Sequence, residues 1–432
     1  MAGAQRVVVV GSSLAGVRGA EALRRAGFSG GITLVGAEAH FPPYDRPPLS
    51  KQILAGSLGP EEGRLRVDSG VNVDLLLGRR AVGLDLARRT VLLDAGPDGG
   101  LDGRLDEGAD DNALPYDGLF IATGASPRNP WADWTPEQGV HTLRNLDDSL
   151  RLRDELRGPV KVAIVGAGFI GCEVAATCRA LGLDVTLVDT LPLPMLRAVG
   201  PEMGEVLAAF HRSRGVRLAL GRSVAGLVGH DRVKGVQLDG DELVEADVVV
   251  VAIGAAPQTH WLADSGLELA DGVVCDARGF AVGAPTAPAA PTIVAAGDVA
   301  RWTHPMTGTG LRVEHWTNAV GQAQVAARNL AARLAGTEPA ESYATIPYFW
   351  SDQHDWKLQY VGFPAGQDSG ARVEVELGAV EDGKFVATYH RDGRLVGALC
   401  VNWPAQVPKY RKRIVAEWEA VDGEARTASS SE

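Results

Sequence analysis

Cysteine is scarce in this 432-residue chain, and none occurs before Cys172; the others are Cys178, Cys275 and Cys400. No two share the CxxC or CxxxxC spacing, which excludes a zinc, iron–sulfur or redox-disulfide site built on a close pair. Reduced, partly buried thiols are the expectation. Positive charge is also short. The chain has 42 Lys and Arg against 54 Asp and Glu, a net charge of −12. That argues against nucleic acid as a partner, because phosphate backbones require a basic surface. It leaves room for a local basic patch facing an acidic protein. No apolar run approaches the ~20 residues that span a membrane, so no membrane partner is expected. The short apolar start up to Val10 lacks the core length and cleavage site of a signal peptide, and reads as a buried strand in a cytoplasmic protein.

Glycine, by contrast, is abundant at 53 residues, as suits an α/β protein rich in tight turns. At ~150 residues per domain the length suggests about three domains. Arg6–Val10 reads as a strand, 14–26 as a helix and 31–35 as a second strand, with a glycine-rich turn after the first. The same grammar returns at 160–188: strand, Gly166–Gly171, a helix over 172–181, strand. Apolar runs at 119–123 and 247–253 each end at a glycine and read as crossovers between the first domain and an inserted second one. The segment 96–112 reads as a flexible hairpin or loop. From Ser342 to Asn402 apolar and polar residues alternate between turn signals at Asp382-Gly383 and Asp392-Gly393, which predicts an antiparallel sheet.

The first turn, Gly11-Ser12-Ser13-Leu14-Ala15-Gly16, lies between a strand and a helix. There backbone N–H groups and the helix start can approach a diphosphate. Ser13 stands where a second glycine is usual. Glu38, after the second strand, suits a ribose hydroxyl. The second turn, Gly166-Ala167-Gly168-Phe169-Ile170-Gly171, is complete. Asp189 ends the strand that follows, where a carboxylate binds the ribose of NADH and repels the extra phosphate of NADPH. Gly297-Asp298 closes an apolar run, and the Asp can accept a bond from a ribityl hydroxyl. The fold class expected is α/β: two Rossmann-like dinucleotide-binding domains plus a C-terminal α+β domain with an antiparallel sheet.

The order of these motifs, with Ala122-Thr123-Gly124 and Ile253-Gly254 between them, resembles the two-dinucleotide flavoproteins of the pyridine nucleotide-disulfide oxidoreductase superfamily. Three strings are similar to its ferredoxin-reductase branch, typified by putidaredoxin reductase, rubredoxin reductase and the reductases of aromatic-ring dioxygenases. They are Pro43 to Lys51, Arg312-Val313-Glu314-His315-Trp316-Thr317-Asn318-Ala319, and Pro347-Tyr348-Phe349-Trp350-Ser351-Asp352-Gln353. The disulfide-reducing branch places a cysteine pair beside the flavin, early in the chain, and this chain has none there.

The resemblance implies FAD and NADH as cofactors. It assigns Gly11, Ser13, Leu14, Ala15, Gly16, Glu38, Arg46, Lys51, Ala122, Thr123, Gly124, Gly297, Asp298, Glu314, His315, Trp316 and Trp350 to FAD. It assigns Gly166, Gly168, Phe169, Ile170, Gly171, Glu173, Asp189, Ile253 and Gly254 to NADH. Lys51, Glu173 and Trp316 are the expected catalytic residues: Lys51 near flavin N5 and paired with Glu173, Trp316 beside the ring system. Trp350 covers the flavin from the other side. The implied domains are a discontinuous flavin domain (1–118 and 250–334), an NADH domain (119–249), a C-terminal domain (335–420) and a disordered tail (421–432). The implied reaction passes a hydride from NADH to FAD, then single electrons to a small [2Fe–2S] ferredoxin that feeds a cytochrome P450 or oxygenase. The basic run Lys409, Arg411, Lys412 and Arg413 is a candidate docking patch, and a monomer or weak homodimer is expected. Two alternatives stay open: an NADH oxidase or quinone-type reductase, and a redox-gated interaction protein like apoptosis-inducing factor.

Overall fold

The computed structural model describes residues 5–95, 112–283, 291–363 and 370–429. Two compact units divide the chain: Met1–Asp45, Arg64–Ser126 and Ala256–Thr345 form one, Arg46–Gly63, Pro127–Ala255 and Ile346–Glu432 the other.

The first unit is built on a five-stranded parallel sheet. Its order is Ile293–Ala295, Gly118–Ile121, Arg6–Val10, Gly31–Gly36, Asp74–Leu77. Valines fill Val7 to Val10 because this strand is covered on both faces. Val8 and Val10 join one core with Leu119, Ile121 and Trp302. Val7 and Val9 join another with Ala20, Leu23, Ala323, Ala327 and Leu330, from the helices Leu14–Arg25 and Trp316–Leu334. Alanine and glycine on those two helices let them pack closely. The register aligns Val10 with Val35 and with Ile121, and Ile121 with Ala295. Gly11, Ala122 and Ala296 therefore leave the sheet at the same carboxyl edge, where ligands of open α/β sheets bind.

The second unit carries a matching parallel sheet, ordered Arg217–Leu220, Asp184–Asp189, Lys161–Val165, Val248–Val251, Val140–Thr142. It also holds an antiparallel sheet ordered Tyr348–Gln353, Trp356–Gly362, Arg394–Val401, Lys384–Arg391, Arg372–Ala379. Asp392-Gly393 forms the expected two-residue hairpin turn, both residues at positive φ and flanked by the Arg391–Arg394 pair.

Three expectations about boundaries differ. The apolar runs near 119 and 248 are not themselves crossovers. Gly118–Ile121 and Val248–Val251 are interior strands, each hydrogen-bonded within its own parallel sheet, and the chain changes unit only after Ser126 and Ala255. The Pro-rich segment Arg46–Gly63, expected in the first domain, belongs to the second unit. The final helix runs Val407–Ser429 rather than giving way to a tail at 421. Of the hairpin expected over 96–112, residues 96–111 lie outside the described residues.

Candidate functional site

Each parallel sheet ends in a glycine turn, and the two turns share one geometry. Gly11 sits at φ +119°, and a Cβ there would lie 2.1 Å from the Ala122 carbonyl oxygen. Gly166 sits at φ +110°, and a Cβ would lie 2.3 Å from the Ala252 oxygen. A Cβ at Gly16 would reach the Gly11 oxygen at 1.8 Å, and one at Gly171 the Gly166 oxygen at 1.8 Å. No side chain fits at these four positions. The middle position is different. Ser13 (φ −90°, ψ −163°) and Gly168 (φ −82°, ψ −162°) share an extended backbone open to any residue. Nothing lies within 4 Å of a Cβ built on Gly168. Glycine there leaves clearance for a ligand, and Ser13 is tolerated because the chain itself asks for no glycine.

Both turns suit a dinucleotide diphosphate. The helices Leu14–Arg25 and Phe169–Ala180 begin with no side-chain cap and no acidic residue in the first turn. Their leading N–H groups and partial positive charge thus face outward with no carboxylate competing. Gly168 and Phe169 are half-buried at the second turn. Ile170 and Ile253 flank that turn as exposed apolar side chains, 38% and 39% accessible, and Gly254 follows at φ +95°.

In the first unit Leu14 and Ala15 form the first helical turn. A Cβ at Gly297 would lie 3.0 Å from that of Ala15, so the Gly297-Asp298 corner packs on the helix start. Gly297 N donates to Gln322 Oε1 at 2.9 Å. Thr123 Oγ1 donates to the Gln258 carbonyl at 2.9 Å, and Gly124 accepts from Gln258 N at 2.9 Å. Glu38 accepts a hydrogen bond from the Tyr44 hydroxyl. Arg312 donates to the Asp298 carbonyl at 3.1 Å and pairs with Glu314 at 2.5 Å and Asp271 at 3.1 Å. His315 precedes the helix Trp316–Leu334, which likewise lacks a side-chain cap and a first-turn acid. Burial pushes the His315 imidazole down to about 4, with Asp298 acting the other way, so the ring is neutral at pH 7. Trp316 Nε1 donates to Asp45 at 2.7 Å, which fixes the indole.

In the second unit Asp189 ends its strand and accepts from Ala167 N at 2.6 Å and Leu191 N at 2.8 Å. A carboxylate has lone pairs to spare for two ribose hydroxyls. Arg222, whose N–H donates to the Asp189 carbonyl, turns its guanidinium to Asp239 and Glu242 at 2.6 and 2.5 Å. Arg46 donates to the Arg144 carbonyl.

Lys51 Nζ lies 2.8 Å from Glu173 Oε2, both side chains about nine-tenths buried. Ser50 Oγ also reaches Glu173 Oε2, at 2.5 Å, and Ser351 Oγ reaches Oε1 at 2.7 Å. The strand Tyr348–Gln353 alternates, so Phe349, Ser351 and Gln353 are buried while Tyr348 and Trp350 are half-buried and stack at 6.1 Å. Phe349 meets Phe169 of the second turn edge to face at 4.7 Å. Of the basic run, Arg413 is paired with Glu376 and Arg411 lies over Tyr348; Lys409 and Lys412 are exposed.

Sequence reasoning assigns no role to Asp45, Tyr44, Ser50, Ser351 or Gln353, although each lies in one of the three ferredoxin-reductase-like strings. It misses His211 and Gln322 altogether, since both are polar residues inside amphipathic helices. The four cysteines are buried and unpaired, and burial pushes Cys178 and Cys400 up to about 12. Among the described residues no cluster of His, Cys, Asp and Glu suits a metal, and no helix is long and apolar enough to cross a membrane.

Comparison with known proteins agrees with this geometry. Residues 348–429 match the model of a reductase C-terminal domain. Rhodocoxin reductase of Rhodococcus erythropolis is 35% identical over 416 residues, covering 95% of this chain and 90% of that protein. The ferredoxin–NAD(+) reductase component of the p-cumate 2,3-dioxygenase system of Pseudomonas putida is 35% identical over 421 residues, covering 96% and 94%. The reductase in the covalent putidaredoxin reductase–putidaredoxin complex superposes with a TM-score of 0.83 at 30% identity, covering 96% and 94%. The model of the pyridine nucleotide-disulphide oxidoreductases matches residues 5–323. Because that match runs from the first strand into the helix Trp316–Leu334 and takes in both glycine turns, the chain belongs to the pyridine nucleotide-disulphide oxidoreductase family.

Proposed function

We propose that this chain is an FAD-dependent NADH:ferredoxin reductase. It oxidises NADH by hydride transfer to FAD and reduces two ferredoxins singly, so that one NADH and two oxidised ferredoxins give NAD⁺, a proton and two reduced ferredoxins. The observation that carries the reading is the pair of glycine turns of one geometry, Gly11–Gly16 and Gly166–Gly171, in a chain whose relatives are named ferredoxin reductases along nearly their whole length. FAD, when bound, supplies the exchange between two-electron and one-electron chemistry that no side chain offers.

The chain's own residues bind and position. The first turn, Glu38, Ala122-Thr123-Gly124 and Gly297-Asp298 hold FAD. The second turn, Asp189 and Ile253-Gly254 hold NADH, with Asp189 setting the preference against NADPH. Hydride transfer needs the donor carbon about 3–3.5 Å from its acceptor and water excluded. Lys51, held by Glu173, supplies a fixed positive charge where negative charge develops. The uncapped helix start behind Glu314 and His315 adds partial positive charge of the same sign. Trp316, oriented by Asp45, and Trp350 are the aromatic neighbours assigned to the flavin. We assign 1–118 and 250–334, less Arg46–Gly63, to a flavin domain, 119–249 to an NADH domain and 335–420 to a C-terminal domain, the boundaries moving to the unit limits at Ser126, Ala255 and Thr345. A [2Fe–2S] ferredoxin docking through Lys409 and Lys412, a monomeric or weakly dimeric state, and a cytoplasmic setting suited to four reduced thiols complete the proposal.

Cytochrome c reduction measured with NADH or NADPH, with and without a [2Fe–2S] ferredoxin, tests it. Ferredoxin-dependent turnover with NADH well above NADPH is expected, and Asp189→Ala narrows that preference about tenfold, the worth of a charge-assisted hydrogen bond. Turnover indifferent to ferredoxin, or faster with NADPH, overturns it.

A further inference from the structure

The Glu173 carboxylate terminates a run of hydrogen bonds through the second unit's interior, and donor chemistry fixes its direction. An ionised carboxylate only accepts, so Ser351 Oγ donates to Glu173 Oε1 at 2.7 Å. Its lone pair then faces Gln353 Nε2 at 3.1 Å, and Nε2 also points at the Met195 thioether at 3.0 Å. That orients the amide. Its oxygen meets His211 Nε2 at 3.0 Å, so that nitrogen carries the proton. His211 Nδ1 therefore accepts, and His354 Nε2 donates to it at 3.2 Å. Glu173, Ser351, Gln353 and His211 are buried, and His354 is half-buried at the hairpin turn. Every bond runs one way, from His354 to Glu173, and bonds in series polarise one another.

The charges around the run agree with neutral rings. Burial pushes His211 down to about 4. His354 is lowered to about 4 by burial first, then by His211 and Arg214, with Arg179 adding to this and Asp355 opposing it. With burial keeping the ring neutral, protonation at Nε2 is the tautomer of His211 that satisfies both neighbours. Apolar packing explains the site poorly, because replacing the whole run by apolar groups of the same shape is close to neutral in stability. The run ends instead on the carboxylate that pairs with Lys51.

We propose that Gln353 and His211 are positioning residues of the Lys51–Glu173 pair: the one-way chain His354–His211–Gln353–Ser351 locks the carboxylate's orientation and presents it to Lys51. The inference rests on the reading that Lys51 serves NADH-driven flavin reduction.

Ring-nitrogen NMR of ¹⁵N-histidine in the flavin-loaded full chain, at pH 5–8, reads the chain directly, with His211→Phe identifying the resonance. His211 is expected neutral and protonated at Nε2 throughout. Two variants separate positioning from packing. Ser351→Ala cuts the link to Glu173 but leaves Gln353 on His211, so the Nε2–H signature persists while anaerobic bleaching of the flavin by NADH slows about tenfold. Gln353→Glu keeps the volume but sets two carboxylates on one serine proton. His211 then becomes an imidazolium at neutral pH, and the bleaching rate gains a pH dependence absent from the parent. Ser351→Thr restores the hydroxyl and the rate. An Nδ1–H or imidazolium His211 in the parent overturns the proposal, as do parental rates and pH profiles in both variants. Protein that binds no flavin, or a flavin that NADH does not bleach, sinks the reductase reading instead, and the ring nitrogens still decide the chain's direction.

Discussion

The two glycine turns are alike where the backbone dictates and unlike where a ligand does. Gly11 and Gly166 have left-handed φ and abut a carbonyl of the neighbouring strand; Gly16 and Gly171 abut the first glycine of their own turn. The differences begin at the middle position, Ser13 against Gly168, and continue two residues past each turn. There Arg18 makes an i,i+3 pair at 2.9 Å with the buried Glu21 of its own helix, whereas Glu173 pairs with Lys51 of a distant segment. The carboxylates after the second strand differ too: a tyrosine hydroxyl holds Glu38, and two backbone N–H groups hold Asp189. One backbone solution recurs in both turns, and the side chains set around it differ.

The strongest way to break the comparison is to put a Cβ where neither turn has room. Gly11→Ala is expected to give colourless protein, and Gly166→Ala a yellow protein that NADH no longer bleaches. Each combines a positive-φ cost of about 1–2 kcal/mol with a clash against backbone that cannot move aside. Flavin absorbance and NADH titration check both, and a yellow, NADH-responsive Gly11→Ala would dissolve the equivalence. Next in size is the position that distinguishes the repeats. Glu173→Leu strands the buried Lys51 cation, at about 3–5 kcal/mol in denaturant unfolding. Arg18→Leu leaves Glu21 an Arg25 pair at 3.9 Å and the Asp68 N–H, and is expected to cost less, about 1–3 kcal/mol.

A third test concerns the second unit alone. His211, at about 4 when folded and 6.5 when free, refuses protons that the unfolded chain takes up. Stability is full above pH 6.5 and falls as pH drops toward 4, at roughly 1.4 kcal/mol per unit from this group. Thermal unfolding from pH 7.5 to 4.5 shows that slope, and His211→Phe removes its share while His354 and His315, also lowered to about 4, keep theirs. The smallest effect is Ser13→Gly. Its extended backbone needs no glycine, so flavin affinity is expected to stay within about fivefold, equivalent to the ~0.5–1 kcal/mol of added chain freedom. A larger gain or loss, read by flavin dissociation, would give the Ser13 hydroxyl a binding role of its own.

Much of this architecture is legible in the order of residues alone. Val7 to Val10 and Val162 to Val165 announce strands buried on both faces, and the glycines after them announce turns that tolerate no Cβ. The helical pattern starts late, at 172, whereas the helix itself begins at Phe169. Aromatic and glycine residues in a first turn break the helical pattern while anchoring the turn to its surroundings. The string ending Trp350-Ser351-Asp352-Gln353 stands out in the chain, but its alternation does not reveal that Ser351 and Gln353 face Glu173 and His211, which lie more than a hundred residues away in sequence.

Local steric limits write themselves into sequence. A left-handed φ or a carbonyl 2 Å away admits glycine only, so both glycine turns and the parallel strands leading into them are legible in the chain by itself. Long-range partners leave no such mark. Glu173 is named as the partner of Lys51 through the family resemblance; which hydroxyls hold that carboxylate, which nitrogen of His211 holds its proton, and where Arg46–Gly63 packs depend on segments brought together only by burial. Burying a charge or an amide without a partner costs more than the chain can bear, and tertiary packing alone decides which partner is within reach.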